Sequence, residues 1–337
     1  MTYQEMLEHA RTCIGPYCKA CPVCNGKACK DTMPGPGAKG LGTGAIRNYQ
    51  KWQEICVNMD TICENREADP SVTLFGQTFS VPFFAAPVGT VQLHYGDQYD
   101  DEAYNDILVS ACAANGFAAF TGDGVDERVF QYACAAIRTN GAGFPTVKPW
   151  DQDTLLEKLE LARSANPTAI AMDIDAAGLP FLKGRTPPAG CKSVAELREI
   201  VQCAGKPMIL KGIMTVRGAE KAVEAGAAAI VVSNHGGRVL DQCPATAEVL
   251  PEIADAVGKD ITILVDGGIR TGMDVFKALA LGAKGVLIGR PFVVAVYGGG
   301  AEGVAVYAKK LRDELTDTMA MCGVHTLEEI TRECVRI

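Results

Sequence analysis

The chain has 337 residues, of which 48% are hydrophobic and 21% charged, and this composition excludes an intrinsically disordered or collagen-like protein. Its 40 acidic and 32 basic residues give a net charge of −8, which disfavours nucleic acid and anionic membranes as partners but allows small anions in a local positive pocket. The start of the sequence lacks the basic and apolar blocks of a signal peptide, and no run of about 18 apolar residues occurs, so we expect a cytoplasmic protein that binds no membrane.

Residues 1–80 differ in composition from the rest of the chain. A cluster of five cysteines within residues 13–29 is followed by a Gly/Pro-rich run from Met33 to Gly44 and by a predicted helix from Ala45 to about Met59. The 14 cysteines lack the context of a secreted protein, so we expect reduced thiols. Most of those outside the cluster, such as Cys112, Cys134 and Cys203, occur singly in apolar helical patterns and are predicted to be small core residues.

From about residue 81 onward, short apolar runs alternate with helical patterns. The predicted strands are Pro82–Ala86, Phe117–Thr121, Phe144–Val147, Ala169–Asp173, Met208–Lys211, Ala229–Ser233, Ile261–Asp266 and Gly285–Gly289. Capping boxes at Ser193–Glu196 and Thr271–Asp274 begin two of the helices between them. Gly116, Gly226 and Gly282 stand where helices must end, because the left-handed conformation costs glycine little.

Eight buried strands that alternate with helices predict a parallel sheet of the α/β class closed into a (β/α)8 TIM barrel. An open doubly wound sheet remains an alternative, since a strand count from sequence can err by one or two. We predict an N-terminal extension over residues 1–80, the barrel over 81–325 and a C-terminal helix or tail over 326–337.

Polar residues follow these apolar strands, at the end of a barrel where active sites lie. The set comprises Pro87, Val88, Gly89, Thr121, Gly122, Asp123, Lys148, Asp173, Asp175, Lys211, Ser233, Asn234, His235, Gly236, Gly237, Arg238, Asp266, Gly267, Gly268, Ile269, Arg270, Gly289 and Arg290. The paired glycines and the arginines Arg270 and Arg290 after the last two strands predict a phosphate site, because backbone N–H groups and guanidinium groups both bind phosphate. The alternative is that the glycines form tight turns and the arginines surface ion pairs.

Three side chains in this set suggest chemistry. Lys211 ends an apolar strand and is either a point charge that stabilises a developing anion or a Schiff-base nucleophile, unless it is an ordinary ion-paired lysine. His235 lies on a glycine-flanked loop, where a general base is the natural interpretation. Arg238 is a candidate to bind a carboxylate.

The segments around these residues resemble the FMN-dependent α-hydroxy-acid dehydrogenase/oxidase family of glycolate and lactate oxidases. The resemblance is carried by LKGI at Lys211, SNHGGRVLD from Ser233, DGGIRTGMDVFKALALGA from Asp266 and IGRP from Ile288. It is strong from about Lys206 to the C-terminus, looser from Val81 to Asp175, and fades before that.

The resemblance implies FMN as cofactor and a small-molecule carboxylate as substrate. On this analogy the catalytic residues are His235 as base, Asp175 as its partner, Arg238 as the carboxylate ligand and Lys211 as the charge near the flavin; His235 and Arg238 are also the substrate-binding residues. The implied cofactor-binding residues are Pro87, Val88, Gly89, Thr121, Asp173, Lys211, Ser233, Asp266, Gly267, Gly268, Arg270, Gly289 and Arg290.

The sequence also departs from the family pattern. The family has a substrate-binding tyrosine before the barrel, but the best-matching position in this chain falls near Met33 and Pro34. After the third strand the family has a glutamine for the flavin and a tyrosine for the substrate, where this chain has Phe144–Val147. Asp173 stands where the family has a threonine against the flavin. We therefore expect a changed substrate pocket. Tyr17, Tyr95 and Tyr99 are candidate replacements, although a surface position is expected for each.

The N-terminal cysteines form a candidate metal site. These residues are Cys13, Cys18, Cys21, Cys24 and Cys29. The C-x2-C-x2-C spacing is that of a bacterial ferredoxin run, but the fourth cysteine follows after four residues and lacks the usual proline. A zinc site, an iron–sulfur cluster and an unmetallated or redox-active thiol loop all remain open. An iron–sulfur centre would point to an electron-transfer partner and hence to a dehydrogenase.

The sequence therefore predicts an FMN-dependent oxidoreductase that oxidises a 2-hydroxy acid, lactate- or glycolate-like or larger. Two alternatives remain: a Schiff-base aldolase or isomerase on a phosphate-binding barrel, and a flavin-binding protein with altered or lost turnover. The resemblance also implies a homo-oligomer.

Overall fold

The computed structural model describes residues 1–337, with eleven α-helices and twelve β-strands. In chain order the helices are α1 (Tyr3–Cys13), α2 (Thr43–Glu54), α3 (Val91–Tyr95), α4 (Asp101–Ala114), α5 (Glu127–Asn140), α6 (Gln152–Ser164), α7 (Val194–Ala204), α8 (Val216–Glu224), α9 (Thr246–Val257), α10 (Gly272–Ala280) and α11 (Arg290–Met321). The strands are β1 (Cys56–Val57), β2 (Val72–Leu74), β3 (Gln77–Phe79), β4 (Phe83–Ala85), β5 (Phe120–Thr121), β6 (Phe144–Val147), β7 (Ile170–Asp173), β8 (Met208–Ile213), β9 (Ala229–Val232), β10 (Thr262–Asp266), β11 (Gly285–Ile288) and β12 (Val335–Arg336).

The eight strands β4 to β11 form one parallel sheet in the order β4-β11-β10-β9-β8-β7-β6-β5, and a helix follows each strand. The ends of the sheet meet through a bridge between Ala85 and Ala119 and a hydrogen bond of 3.2 Å from the Ala85 N–H to the Ala118 carbonyl. The predicted (β/α)8 barrel is confirmed, and each of the eight predicted strands overlaps an observed one. The alternative of an open sheet is excluded, since that sheet would have two free edges.

The predicted ends of the barrel helices are also confirmed. Both capping boxes are present, with Ser193 before α7 and Thr271 before α10 each accepting a hydrogen bond from the third backbone N–H of its helix. The glycines that follow α4, α8 and α10 have φ values of 76°, 84° and 107°, so each adopts the backbone conformation that ends a helix cheaply.

The barrel interior is filled by inward-facing apolar side chains, and the β2–β3 hairpin closes its N-terminal end. Phe79 of the hairpin packs edge-on against Phe84, with ring centroids 5.0 Å apart, and also contacts Phe144 of β6, with ring centroids 6.1 Å apart. Because the hairpin fills one end of the barrel, only the carboxyl end of the strands is open to ligands.

The two terminal segments pack together. β1 pairs antiparallel with β12, so residues 56–57 meet residues 335–336. The predicted helix from Ala45 to Met59 begins two residues earlier and ends at Glu54, because Ile55 turns to an extended conformation and the chain enters β1. The prediction is therefore wrong for the last turn of this helix.

The last helix, α11, is by length and composition the one helix able to cross a membrane, yet 67% of its most apolar stretch is buried inside the fold. Gly299 and Gly300 break it, with φ values of −167° and 55°. Its apolar composition is thus accounted for by packing against α1, α4 and α10.

The burial of the cysteines outside the N-terminal cluster matches the prediction only in part. Those that are buried are Cys112, Cys134 and Cys322, and those that are exposed are Cys56, Cys63, Cys191 and Cys203. The core prediction is confirmed for Cys112 and Cys134 and wrong for Cys203. Helix α7 buries Leu197 and Ala204, and Cys203 lies about 100° around the helix from Ala204, on the outer face.

Candidate active site

A cavity of about 410 Å³ opens at the carboxyl ends of the barrel strands. Of the catalytic and cofactor-binding residues that the resemblance implies, those that line it are Pro87, Val88, Gly89, Asp173, Lys211, His235, Arg238, Asp266, Gly267, Gly268, Arg270, Gly289 and Arg290. Three predicted residues lie behind this wall: Asp175 contacts His235, Ser233 accepts a hydrogen bond from the His235 N–H, and Thr121 is buried. Nearly all of the residues implied by the resemblance thus lie together at the carboxyl ends of the strands.

Lys211 is held between carboxylates at the end of β8. Its Nζ lies 2.7 Å from Asp173 Oδ1 and 3.7 Å from Asp266 Oδ2. Gly212, at φ 110°, forms a bulge against β9, and a Cβ here would lie 2.6 Å from Asp175. Burial alone would lower the pKa of Lys211, but the surrounding carboxylates raise it above its ordinary value. A lysine held as the ammonium ion is a fixed positive charge and is poorly suited to Schiff-base chemistry.

Asp173 carries the matching negative charge. Burial would raise its pKa, but His235, Lys211 and Lys148 hold the pKa of this carboxyl below its ordinary value. Asp266, by contrast, has a raised pKa because burial outweighs the attraction of Lys211. The site therefore contains one firmly ionised carboxylate beside the lysine and a second that takes up a proton more readily.

His235 is positioned by the loop after β9. It adopts φ 56°, and its Nδ1 lies 2.9 Å from Asp175 Oδ1 and 3.6 Å from Asp173 Oδ1. The preceding Asn234 exchanges two amide hydrogen bonds, of 2.7 and 3.0 Å, with Asn48 of α2, which fixes the loop against the N-terminal segment. With Nδ1 donating to Asp175, Nε2 has no protein partner and is free to accept a proton.

The N-terminal segment reaches the mouth of the barrel and holds two arginines there. Arg238 Nη1 donates to the carbonyls of Gly35 and Gly37, at 2.6 and 2.8 Å, and Arg290 Nε donates to Pro36 at 2.7 Å. Burial and the nearby Arg290 lower the pKa of Arg238 to about 10, which still leaves it cationic at neutral pH. The family's substrate-binding tyrosine corresponds to the region of Met33 and Pro34 in this chain. This region lies beside the cavity, and the backbone of the Gly/Pro run takes the place of the tyrosine there.

The loop after β10 turns at two successive glycines that pack closely against α2. Gly267 and Gly268 both have φ 88°, and a Cβ on Gly268 would lie 2.3 Å from the Asn48 carbonyl oxygen. Arg270 donates through Nε to the Cys24 carbonyl at 2.7 Å and through Nη1 to Ile269 at 2.6 Å. Its Nη2 and the Nη1 of Arg290 keep no protein acceptor, so each is available to a phosphate oxygen.

Several features of this cavity fit a flavin mononucleotide. The Asp266 Oδ1 atom is buried without a hydrogen-bond partner, and such an orphaned group is expected where a ligand supplies the missing bond. A Cβ at Gly289 would meet only Ala86, at 3.6 Å, so this backbone faces open space. A phosphate at Arg270, Gly289 and Arg290 and a ring beside Pro87–Gly89 would fill the cavity.

The structure adds residues to which the family resemblance assigned no role. Lys148, which follows β6, is 9% exposed, lines the cavity and makes no ion pair through its Nζ. His94 and Arg185 also line the cavity, from segments without a sequence motif. Tyr95 lines it too and is buried, which corrects the expectation of a surface position for this tyrosine. Lys148 was detectable as a strand end, but the other three are brought to the site only by tertiary packing.

Asp123 illustrates a strand-end residue whose contacts are structural. Its carboxylate accepts hydrogen bonds from Trp150 Nε1 at 2.6 Å, Lys158 Nζ at 2.7 Å and the Lys148 N–H at 3.0 Å. A fully satisfied carboxylate has no free oxygen lone pair directed at a ligand, so Asp123 anchors the loops after β5 and β6.

A comparison with known protein families also points to an FMN site. The family model described as FMN-dependent dehydrogenase matches residues 36–185 and 186–337. A peroxisomal (S)-2-hydroxyacid oxidase of Arabidopsis thaliana is 49% identical over 145 residues, which are 43% of this chain and 39% of that protein. An L-lactate dehydrogenase of Caulobacter sp. is 50% identical over 126 residues, 37% of this chain and 33% of that protein. These alignments cover less than half of either relative.

Solved structures resemble the chain over most of its length. A mandelate oxidase variant with 2-hydroxy-phenylacetamide superimposes with a TM-score of 0.81 at 24% identity and covers 99% of this chain and 97% of that one. A flavocytochrome b2 variant with pyruvate bound gives a TM-score of 0.77 at 25% identity, over 89% of this chain and 80% of that one. The shared feature is the barrel fold.

Proposed function

Since the chain belongs to the family of FMN-dependent dehydrogenases, we propose that it uses FMN to oxidise a 2-hydroxy acid to the corresponding 2-oxo acid. The observation that carries the proposal is the pairing of His235 Nδ1 with Asp175 at 2.9 Å, which leaves Nε2 facing the cavity that Arg238 and Lys211 also line. A base, a carboxylate ligand and a fixed positive charge are the three groups that this reaction requires from the protein.

The residues divide the work as follows. Arg238, held by two backbone carbonyls, binds the substrate carboxylate through its remaining N–H groups. His235 Nε2 accepts the proton that leaves the substrate, and Asp175 stabilises the imidazolium that results. FMN, when bound, takes up the two electrons of the oxidation. Lys211 contributes positive charge that favours electron density on the flavin, and Asp173 keeps this lysine protonated and oriented.

The substrate class follows from the groups around the cavity. Lys148 adds a cation without an ion-pair partner, and Arg185 lines the same cavity. A substrate with one carboxylate engages Arg238 and leaves Lys148 without a counter-charge. We therefore propose a 2-hydroxy acid larger than lactate or glycolate that carries a second anionic or strongly polar group.

The test is anaerobic mixing of the FMN-loaded protein with a panel of 2-hydroxy acids, followed through the loss of flavin absorbance. We expect at least one dicarboxylic member to bleach the flavin. His235→Ala should retain FMN and lose reduction by about 10²–10⁴-fold, the usual range for removal of a general base. His9→Ala, which removes a histidine outside the cavity, is the matched control and should reduce at the original rate. Undiminished reduction in His235→Ala would reject this residue as the base.

The same experiment separates the alternatives. A protein that binds FMN but is not bleached by any member of the panel would be the flavin-binding module without turnover. Covalent trapping of substrate on Lys211 by borohydride would indicate an aldolase, but the raised pKa of this lysine, caused by its carboxylate neighbours, opposes that chemistry.

We also propose that the protein is cytoplasmic and forms a homo-oligomer. All 14 cysteines are unpaired, and this supports a reducing compartment such as the cytoplasm. A homo-oligomer rests on the family resemblance alone, and light scattering coupled to size-exclusion chromatography would test it.

A further inference from the structure

A second cavity, of about 170 Å³, lies beside the phosphate end of the candidate active site. Four of the five N-terminal cysteines line it: Cys18, Cys21, Cys24 and Cys29. Cys13 does not line it, and its Sγ instead lies 3.6 Å from His9 Nε2. The structure thus selects four thiols from the five that the sequence clusters.

The loop that carries these cysteines is held in place by hydrogen bonds from outside it. Arg11 Nε donates to the Ala20 carbonyl at 3.2 Å, and Arg270 Nε donates to the Cys24 carbonyl at 2.7 Å. Thr32 donates to the Cys29 carbonyl through both its N–H, at 3.1 Å, and its Oγ1, at 2.8 Å. The shape of the loop therefore does not depend on a disulfide.

The thiols surround a space and do not converge on one point. Asp173, Asp175 and His235 are the only set of three potential metal ligands whose ligating atoms all lie within 4.8 Å of one another, so no three cysteine sulfurs do. A tetrahedral zinc ion with Zn–S bonds of about 2.3 Å would bring its sulfurs to about 3.8 Å apart. A cubic four-iron cluster spreads its four thiolates over separate corners and so places them farther apart.

The charges around the cavity suit an anionic group. Four thiolates make an assembled iron–sulfur site negative, and Arg270, Arg290 and Lys310 line the same cavity.

We propose that Cys18, Cys21, Cys24 and Cys29 ligate a [4Fe–4S] cluster in this cavity. The cluster adjoins the candidate flavin site, because Arg270 and Arg290 line both cavities. The proposal concerns a metal centre only, and it stands whether or not the chain oxidises a 2-hydroxy acid.

Metal analysis of the full-length protein tests the proposal directly. The protein is purified without oxygen, incubated with ferrous iron and sulfide, and freed of unbound metal. We expect about four irons and four sulfides per chain and, after dithionite reduction, the electron paramagnetic resonance signal of a reduced [4Fe–4S] centre. One zinc per chain with no sulfide, or neither metal nor sulfide after reconstitution, would overturn the proposal.

Substitutions then assign the ligands. Cys18→Ser and Cys24→Ser should each lose more than half of the bound iron, whereas Cys13→Ser should keep it. Circular dichroism and FMN content identify any variant that has failed to fold, and Cys21→Ser, at a less buried cysteine, then replaces it. Full iron retention in folded Cys18→Ser and Cys21→Ser would show that these residues are not ligands and would contradict the assignment.

Discussion

At the scale of single residues, the site places a carboxylate next to both Lys211 and His235. Asp173 lies 2.7 Å from Lys211 and 3.6 Å from His235, so it contacts both residues to which the proposed mechanism assigns positive charge. A neutral side chain at this position would leave the lysine charge less compensated. Replacement of the expected threonine by Asp173 is therefore a change in the electrostatics of the flavin site, in addition to a change in its shape.

Lys148 provides a residue-scale test of the substrate class. Lys148→Met removes the cavity cation and keeps much of its volume, so we expect the apparent Kd of a dicarboxylic 2-hydroxy acid to rise by about tenfold or more, since a charged hydrogen bond contributes about 1.5–3 kcal/mol. Lactate should be affected far less. Lys309→Met, at an exposed lysine on α11, is the control. Equal losses of affinity for mono- and dicarboxylic acids would show that Lys148 does not bind a second anionic group.

The buried His94 makes the stability of the folded protein depend on pH. Its Nδ1 accepts the Gly35 N–H at 3.0 Å, so the ring is neutral, and burial together with Arg238 and Lys148 lowers its pKa to about 3. The unfolded chain protonates this histidine below its ordinary pKa of about 6.5, and the folded chain does not, so acidification favours unfolding. The contribution of His94 to stability is therefore complete above about pH 6.5 and declines as the pH falls toward 3.

Urea unfolding at two pH values measures this effect. Between pH 7.5 and pH 5 the original protein should lose about 2 kcal/mol more unfolding free energy than His94→Gln, which keeps a hydrogen-bond acceptor but does not titrate. Parallel pH dependence of the two proteins would contradict a neutral, buried His94.

At the scale of elements, the β2–β3 hairpin shows how the barrel is completed from outside its own strands. Phe79 is 3% exposed and packs into the end of the barrel interior, whereas Phe75 at the turn packs only at its edge. This closure stabilises the strands whose opposite ends carry the site.

A pair of substitutions tests the plug. Phe79→Ala should lower the free energy of unfolding by about 3–5 kcal/mol, the usual cost of removing a buried phenylalanine, and Phe75→Ala should cost clearly less. Denaturant unfolding of both variants gives the comparison. Similar losses for the two would mean that the hairpin contributes as a unit and that Phe79 has no special role as a plug.

The elements of the barrel were predictable because each strand is a continuous buried apolar run and each helix has a local end signal. Asp173, Lys211 and His235 follow directly from that register, since parallel strands bring their carboxyl ends to one edge. The path of residues 33–37 was not predictable, because the bond between Arg238 and Gly35 joins residues 203 apart and has no local signature. The exposure of Cys203 was missed because burial depends on which face of α7 meets the core.

At the scale of the whole molecule, ligand and fold stability are coupled. The two arginines of the phosphate end, Arg270 and Arg290, also hold backbone from residues 24 and 36, so a phosphate there reinforces contacts between the N-terminal segment and the barrel. A ligand that binds only the folded state stabilises it in proportion to the logarithm of its concentration.

FMN removal should accordingly lower the thermal midpoint. At a free FMN concentration about 100-fold above Kd, the expected stabilisation is about 2.7 kcal/mol, and the midpoint should keep rising with added FMN. Arg290→Gln should weaken this dependence, and Arg198→Gln, at an exposed ion pair, should not. A midpoint that is independent of FMN in the unmodified protein would refute binding at this site.

The carbonyls of Gly35, Pro36 and Gly37 are bound by Arg238 and Arg290, and the Cys24 carbonyl is bound by Arg270. One continuous stretch of chain therefore carries the cysteine loop and sets the orientation of three arginines at the barrel mouth. We therefore expect a rearrangement of the cysteine loop to change the affinity for FMN, because Arg270 and Arg290 line both cavities. With FMN bound as proposed, the visible absorbance of the flavin would then report on the chemical state of the N-terminal thiols.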